Sequence, residues 1–385
     1  MDNKKRYFFD AERWWALNMK IVFRCDGSTA MGLGHIFRCK TLASVLIEKG
    51  VQCIFVIRLH EPSSYYSRVM GEMQTVFLPS ETTPLADSDQ NPLAIIDTWL
   101  GVSQEKEIQD LTKIILDYEA DLVVVDHYAY DLRMSELLSQ HTVLAIIDDL
   151  CNRTLVCDYV INHNLGFNKE DYHNCKNRHG QRATILLGPE YCLIDKRFSE
   201  LAKQKSICKN DRINLLISFG ALDHNNLSFS VLDEIFDSDL SGSINVSVML
   251  HANAPHRRQL ERWSSNFDDL VKFYWSPQNV PKLYSEAHLA IGAGGTSAWE
   301  RCAAGLPTLM LSAAANQKRI IHYISQAGGG KLISIDKTKQ NYIISELKSI
   351  LENTYCLKTM SENARKIVDG YGVDRVVREF FKHAS

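Results

Sequence analysis

Residues able to do chemistry gather in two glycine-bearing stretches. The first is Cys25-Asp26-Gly27-Ser28-Thr29-Ala30-Met31-Gly32-Leu33-Gly34-His35-Ile36-Phe37-Arg38-Cys39, which follows an apolar run at 20–24 and leads into an amphipathic stretch at 35–49. Its three glycines let backbone approach a ligand closely, and a helix starting there offers free N–H groups. His35 falls at that helix N-terminus, where the positive dipole end favours a neutral imidazole, the form a general base requires. A histidine with no chemical role, serving as a polar first-turn residue, fits the same position. Gly32-x-Gly34 does not complete the dinucleotide spacing, so a dinucleotide fingerprint is not read here.

The second stretch is sharper: Ile291-Gly292-Ala293-Gly294-Gly295-Thr296-Ser297-Ala298-Trp299-Glu300-Arg301-Cys302-Ala303-Ala304-Gly305-Leu306-Pro307, followed by Ala315-Asn316-Gln317. It reads as strand, glycine loop, helix, tight turn and next strand. Amides near Thr296 and Ser297 would face an anion at the helix start. Glu300, one turn further on, can then accept from the hydroxyls of a ribose whose diphosphate lies at that N-terminus; taken alone it also fits a solvated helix face. Asn316 and Gln317 are amides able both to donate to and accept from sugar hydroxyls or acetamido groups, or simply to cap a helix.

These stretches need strands to hold them. Apolar runs at 20–24, 51–57, 74–78, 121–125 and 142–147 alternate with helix-like segments, notably 35–49 and 104–119, and the pattern restarts at 213–217, 244–250, 288–292 and 307–311. Continuous β-branched runs between helices imply parallel sheets covered on both faces, whose ligands bind at the carboxyl ends of the strands. The length of 385 residues exceeds what one core usually holds. The expected division is an extension at 1–18 that fits no periodic element and precedes Met19, an N-terminal unit at 19–200 and a C-terminal unit at 201–385.

A net charge of −3 gives no electrostatic case for nucleic acid or an anionic membrane, and no apolar run approaches the ~20 residues of a membrane span. The N-terminus lacks the apolar core of a secretion signal. The ten cysteines show no Cys-x-x-Cys and no zinc-like spacing, which suits reduced, mostly buried thiols in the cytoplasm.

The two long motifs, together with Asp126-His127-Tyr128, Ile147-Asp148-Asp149, Leu186-Leu187-Gly188-Pro189-Glu190-Tyr191 and Ser218-Phe219-Gly220, resemble the nucleotide-sugar hydrolases of pseudaminic acid biosynthesis. The resemblance runs in order from about residue 19 to the end. It implies an α/β protein of GT-B fold, two Rossmann-like parallel-sheet domains facing across a cleft, related to the peptidoglycan N-acetylglucosaminyltransferase. It implies hydrolysis of UDP-2,4-diacetamido-2,4,6-trideoxy-β-L-altropyranose to UDP and the free sugar. His35 is then the base that activates water, and Tyr128 and Asn316 position sugar or water. Asp26, Gly32, Gly34, Arg38, Tyr191, Ser218, Gly220, Gly294, Gly295, Thr296, Ser297, Glu300 and Gln317 are implied to contact substrate.

No metal and no cofactor are expected, because the glycine loop supplies the positive field at the departing diphosphate. The expected partner is a small-molecule UDP-sugar, with no nucleic acid, no membrane and a monomeric state. The family usually reads Ser-Phe-Gly-Gly-Ser-Asp-Pro where this chain has Ser218-Phe219-Gly220-Ala221-Leu222-Asp223-His224, so a bulkier loop is expected there. Two rivals stand beside this reading: an inverting glycosyltransferase on the same scaffold, and a non-catalytic nucleotide-sugar binder. An intact His35 argues against the binder, and the Ile54–Leu59 run is better read as a buried strand than as a membrane-docking patch of a transferase.

Overall fold

The computed structural model describes residues 18–82, 98–202, 212–267, 270–312, 317–333, 342–353 and 355–384. Among them the chain divides into two compact units. One runs to His163 and takes in Phe167–Leu193 and the segment from Gly372; the other holds Asn164–Gly166 and Ile194–Tyr371. Residues 1–17 of the expected extension lie outside the described residues.

The first unit contains β1 (Lys20–Cys25), α1 (Gly34–Glu48), β2 (Gln52–Leu59), α2 (Ser63–Met70), β3 (Thr75–Pro79), α3 (Gln104–Tyr118), β4 (Leu122–Asp126), α4 (Leu132–Ser139), β5 (Val143–Ile147), β6 (Tyr159–Asn162) and β7 (Thr184–Leu187). Its sheet is parallel, in the order β3-β2-β1-β4-β5-β6-β7. Successive side chains leave a strand on opposite faces, and here both faces are covered. Ile21, Phe23, Leu122 and Val124 enter one apolar cluster with α1, while Val22, Val123 and Val125 enter another with α3 and α4. That double burial is why these strands read as unbroken apolar runs. From β1 the chain winds outward through β2 and β3, then returns to the other side of β1 with β4. The carboxyl ends of β1 and β4 therefore flank the point where winding reverses, the usual crevice for a ligand.

The second unit repeats this plan with α5 (Arg197–Ala202), β8 (Ile213–Ser218), α6 (Leu227–Phe236), β9 (Ile244–Leu250), α7 (Arg257–Ser264), β10 (Val271–Trp275), α8 (Val280–Glu286), β11 (Leu289–Ala293), α9 (Thr296–Ala303), β12 (Thr308–Leu311), α10 (Gln317–Gln326), β13 (Lys331–Leu332), α11 (Tyr342–Glu352) and α12 (Tyr355–Ile367). Its strand order is β10-β9-β8-β11-β12-β13, so β8 and β11 flank the reversal. The Ile54–Leu59 run is part of β2, an inner strand, and is buried almost throughout.

The last helix, α13 (Gly372–Ala384), packs with the first unit, while the second unit takes in Asn164–Gly166 and starts its main run at Ile194. The reason lies in its pattern: Val373, Val376, Val377 and Phe380, at i, i+3, i+4 and i+7, are all buried in the cluster that also holds α1. A Cβ at Gly372 would lie 2.3 Å from the Cys192 carbonyl oxygen, so the crossing back needs glycine. Among the described residues, no helix is long and apolar enough to cross a membrane.

Candidate active site

His35 occupies the first turn of α1, whose N-cap, Leu33, provides no side-chain cap. Its Nδ1 lies 2.7 Å from Oδ1 of Asp126, the last residue of β4, and its side chain keeps 12% exposure. Burial would raise the Asp126 carboxyl, but the Arg38 guanidinium and His35 overcome it and hold the group at about 2. An ionised carboxylate only accepts, so in the neutral ring this contact puts the proton on Nδ1 and the lone pair on Nε2. That is the tautomer a general base needs.

Arg38 follows one turn later and is committed to the protein itself. Its Nε and Nη2 donate to Asp126 at 2.5 and 2.6 Å, and its Nη1 donates to Asp149 at 3.0 Å. Arg38, implied by the resemblance as a substrate contact, ties the carboxylates of Asp126 and Asp149 together. Asp149, just past β5, accepts from the Tyr128 hydroxyl at 2.8 Å, and His163 Nε2 stands 4.0 Å away. Burial acts to raise Asp149; Arg38 and His163 outweigh it and hold the carboxyl well below the usual range. Burial pushes the Tyr128 hydroxyl well above its usual value, with Asp149 adding to the effect, so the phenol stays neutral. The Tyr128 ring meets His35 edge to face at 4.7 Å, and Trp99 stacks on Tyr128 at 5.9 Å.

Asp26, also expected to touch substrate, is buried in a separate charge network. Arg24 Nη1 lies 2.6 Å from its Oδ1, which also accepts the Arg58 amide at 2.8 Å. His127 Nδ1 accepts the Ala129 amide, so Nε2 carries the proton and faces Asp26 Oδ2 at 3.4 Å. Arg24 and Arg58 in turn share Glu107 of α3, which also accepts from Tyr130. These partners hold the carboxylate; it is part of the scaffold under the loop. Gly32 takes φ +80° with open space around it, and Gly34 opens α1. Tyr191 closes a short 3-10 turn after β7 and packs against the α1–α13 side of the core.

In the second unit, Gly292 and Gly294 are required by packing. A Cβ at Gly292 would sit 2.5 Å from the Ser218 carbonyl oxygen at the end of β8, and one at Gly294 would sit 2.4 Å from Ile321 Cγ1 of α10. Gln317 accepts from the Gly294 amide at 3.3 Å. Gly295 is the N-cap of α9 and supplies no side-chain cap, so the amides behind Thr296 and Ser297 keep their capacity for an anion. The Ser297 hydroxyl turns back to accept from Arg301 at 3.1 Å, and Arg301 also donates to the Ala293 carbonyl, bracing the loop from below. Glu300 accepts from the Tyr284 hydroxyl at 3.3 Å; burial pushes its carboxyl up to about 7 against the lowering effect of Arg301. Gly220 takes φ +96° just past β8. Asn316 lies outside the described residues.

Asp126, Asp149, Trp99, Tyr284 and Arg301 are the site residues not singled out from sequence. Two Asp-x-Asp spacings occur in the chain. Asp87 and Asp89 lie outside the described residues, and Asp237 and Asp239 follow the end of α6, where Asp239 pairs with Lys348 at 2.7 Å.

No family model matches the chain. A UDP-2,4-diacetamido-2,4,6-trideoxy-beta-L-altropyranose hydrolase of Campylobacter jejuni is 21% identical over 276 residues, 71% of this chain and 84% of that protein. An uncharacterised protein of Methanocaldococcus jannaschii is 24% identical over 309 residues, 76% of this chain but only 55% of that protein, so the chain spans about half its length. Among solved structures, Acinetobacter baumannii MurG superposes with a TM-score of 0.61 at 14% identity, covering 94% of this chain and 99% of that one. The calicheamicin glycosyltransferase CalG4 gives 0.62 at 14% identity, covering 95% and 98%. Two parallel α/β units of this winding and these likenesses define a GT-B fold.

Proposed function

We propose that the chain is an enzyme acting on a nucleotide sugar: a metal-independent, inverting hydrolase of UDP-2,4-diacetamido-2,4,6-trideoxy-β-L-altropyranose. The observation that carries this reading is the 2.7 Å contact of His35 Nδ1 with Asp126, which leaves Nε2 as a base at the strand ends where ligands bind. The distant relationship to the Campylobacter jejuni hydrolase supports the choice of substrate. Water gives its proton to His35 Nε2 while its oxygen bonds to the anomeric carbon from the face opposite UDP. The anomeric C–O bond breaks, and its electron pair leaves with the diphosphate. Within the second unit, the amides at the start of α9 suit a diphosphate, the kind of leaving group that needs no strong general acid. Glu300, in that same unit, suits a ribose; in the first unit Tyr128, held by Asp149, suits the sugar.

The test is UDP release from this substrate with EDTA present, for wild type and His35→Ala. Turnover by wild type and a loss of ~100-fold or more in the variant support the base assignment. Full activity in His35→Ala removes it. Tight UDP binding without turnover moves the assignment to transfer onto a sugar hydroxyl, which uses the same base, or to another sugar.

A further inference from the structure

Trp99 belongs to no motif, yet the fold fixes it one ring beyond Tyr128, with the two planes only 25° apart and 5.9 Å between centroids. It is half-buried, and its loop is held on both sides. Leu100, next in the chain, is buried in the cluster beneath β4. Gly101 takes φ +74°, its amide closes a turn on the Thr98 carbonyl at 3.3 Å, and its carbonyl accepts the Glu81 amide at 2.7 Å. A Cβ there would lie 2.4 Å from Ser80 Oγ, so the turn is seated against the end of β3. An indole anchored this way loses little freedom when it meets a ligand.

The rings run in a row: His35 edge to face with Tyr128 at 4.7 Å, then Tyr128 stacked with Trp99. Water between His35 Nε2 and an anomeric carbon spans two contacts of roughly 3 Å each, so the sugar ring must begin within reach of this row. The Tyr128 hydroxyl is engaged by Asp149. With its proton given to Asp149, the Tyr128 hydroxyl can only accept from a sugar; the remainder of the row presents mainly aromatic surface, which suits C–H groups and a methyl better than a hydroxyl.

We infer that Trp99, with Tyr128, forms an apolar wall that takes the C–H face of the sugar and favours a C5 methyl over a hydroxymethyl group, making Trp99 a specificity-determining residue. The inference rests on the hydrolase reading for the identity of the sugar, but it concerns binding and is tested by binding.

In a His35→Ala background, which keeps the sugar nucleotide intact, calorimetry compares UDP, UDP-2,4-diacetamido-2,4,6-trideoxy-β-L-altropyranose and its 6-hydroxy counterpart. With Trp99 present, the 6-deoxy compound binds more tightly than either of the others. Trp99→Ala weakens the 6-deoxy compound by ~10-fold, leaves UDP unchanged and narrows the gap to the 6-hydroxy compound, whereas Trp99→Phe keeps most of the affinity. Unchanged sugar-nucleotide affinity in Trp99→Ala, an equal loss for UDP, or no margin of sugar nucleotide over UDP in the parent each overturns the wall. Binding as expected without UDP release by the His35-intact protein would instead remove the hydrolase reading and leave the wall in place.

Discussion

Oδ1 of Asp126 lies 2.7 Å from Nδ1 of His35, while Oδ2 of the same carboxylate lies 2.5 Å from Nε of Arg38. One aspartate at a strand end thus fixes the proton on the imidazole and is itself fixed by an arginine one helical turn further on. The arrangement takes three residues from two elements, His35 and Arg38 of helix α1 and Asp126 of strand β4.

Asp126→Asn replaces an acceptor by a group that can also donate, so the ring loses its preference for a proton on Nδ1. On the hydrolase reading, the expected result is a fall in kcat of ~100-fold or more with KM within about threefold, since that reading assigns the UDP contacts to other residues. Steady-state UDP release measures it. An unchanged kcat would mean that the Asp126 contact does not set the tautomer.

Glu300 gives a pH dependence whose sign follows from its environment. Burial raises the carboxyl to about 7, so in the proposed ribose contact it would accept as a carboxylate above that pH and lose that capacity as pH falls through it. Affinity for the sugar nucleotide should decline several-fold from pH 8 to pH 6, in a His35→Ala background that prevents turnover. Glu300→Gln should flatten that slope. The diphosphate diester of a UDP-sugar does not titrate in this range, so a slope retained by Glu300→Gln would assign it to another group.

The contact between Gly294 and Ile321 predicts coupling between two otherwise distant substitutions. Gly294→Ala drives a methyl to 2.4 Å from Ile321 Cγ1 and should cost ~1–3 kcal/mol. Ile321→Ala alone should cost ~2–5 kcal/mol by leaving a cavity. The double variant should cost less than the sum by ~1 kcal/mol, read from urea unfolding. Strict additivity would show that the loop yields elsewhere.

Much of the fold was readable because β1 and β4 are buried on both faces and leave unbroken apolar runs. β6, β7 and β10 passed unmarked for a different reason. The first two are four residues long, and β7 lies inside a polar stretch that reads as a linker. β10 is a sheet edge whose Lys272 faces solvent. His35 was legible from its place after a strand. Asp126 and Asp149 carried the same local signal, a carboxylate ending an apolar run, but their use depends on Arg38, 88 and 111 residues away.

Asp26 has partners that the motif alone does not reveal. The motif singled it out, yet Arg24 inside β1 and Arg58 inside β2 are buried cations that need partners, and Asp26 and Glu107 are those partners. The loop after β8 also reads differently in three dimensions. Leu222, which looked like added bulk, is only 5% exposed because its side chain turns inward, while Asp223 accepts the Leu227 and Ser228 amides at the start of α6. The bulk of Leu222 is thus taken up by the interior, while Ala221 is half-buried and His224 exposed.

The return of α13 to the first unit bears on how the chain is made. The helix that carries His35 shares its apolar cluster with Val376, Val377 and Phe380, which leave the ribosome after the whole second unit. Domains usually fold in the order they are synthesised. Here the unit begun first is completed after the second, and the helix carrying His35 gains its full cover only once Gly372–Ala384 has been made.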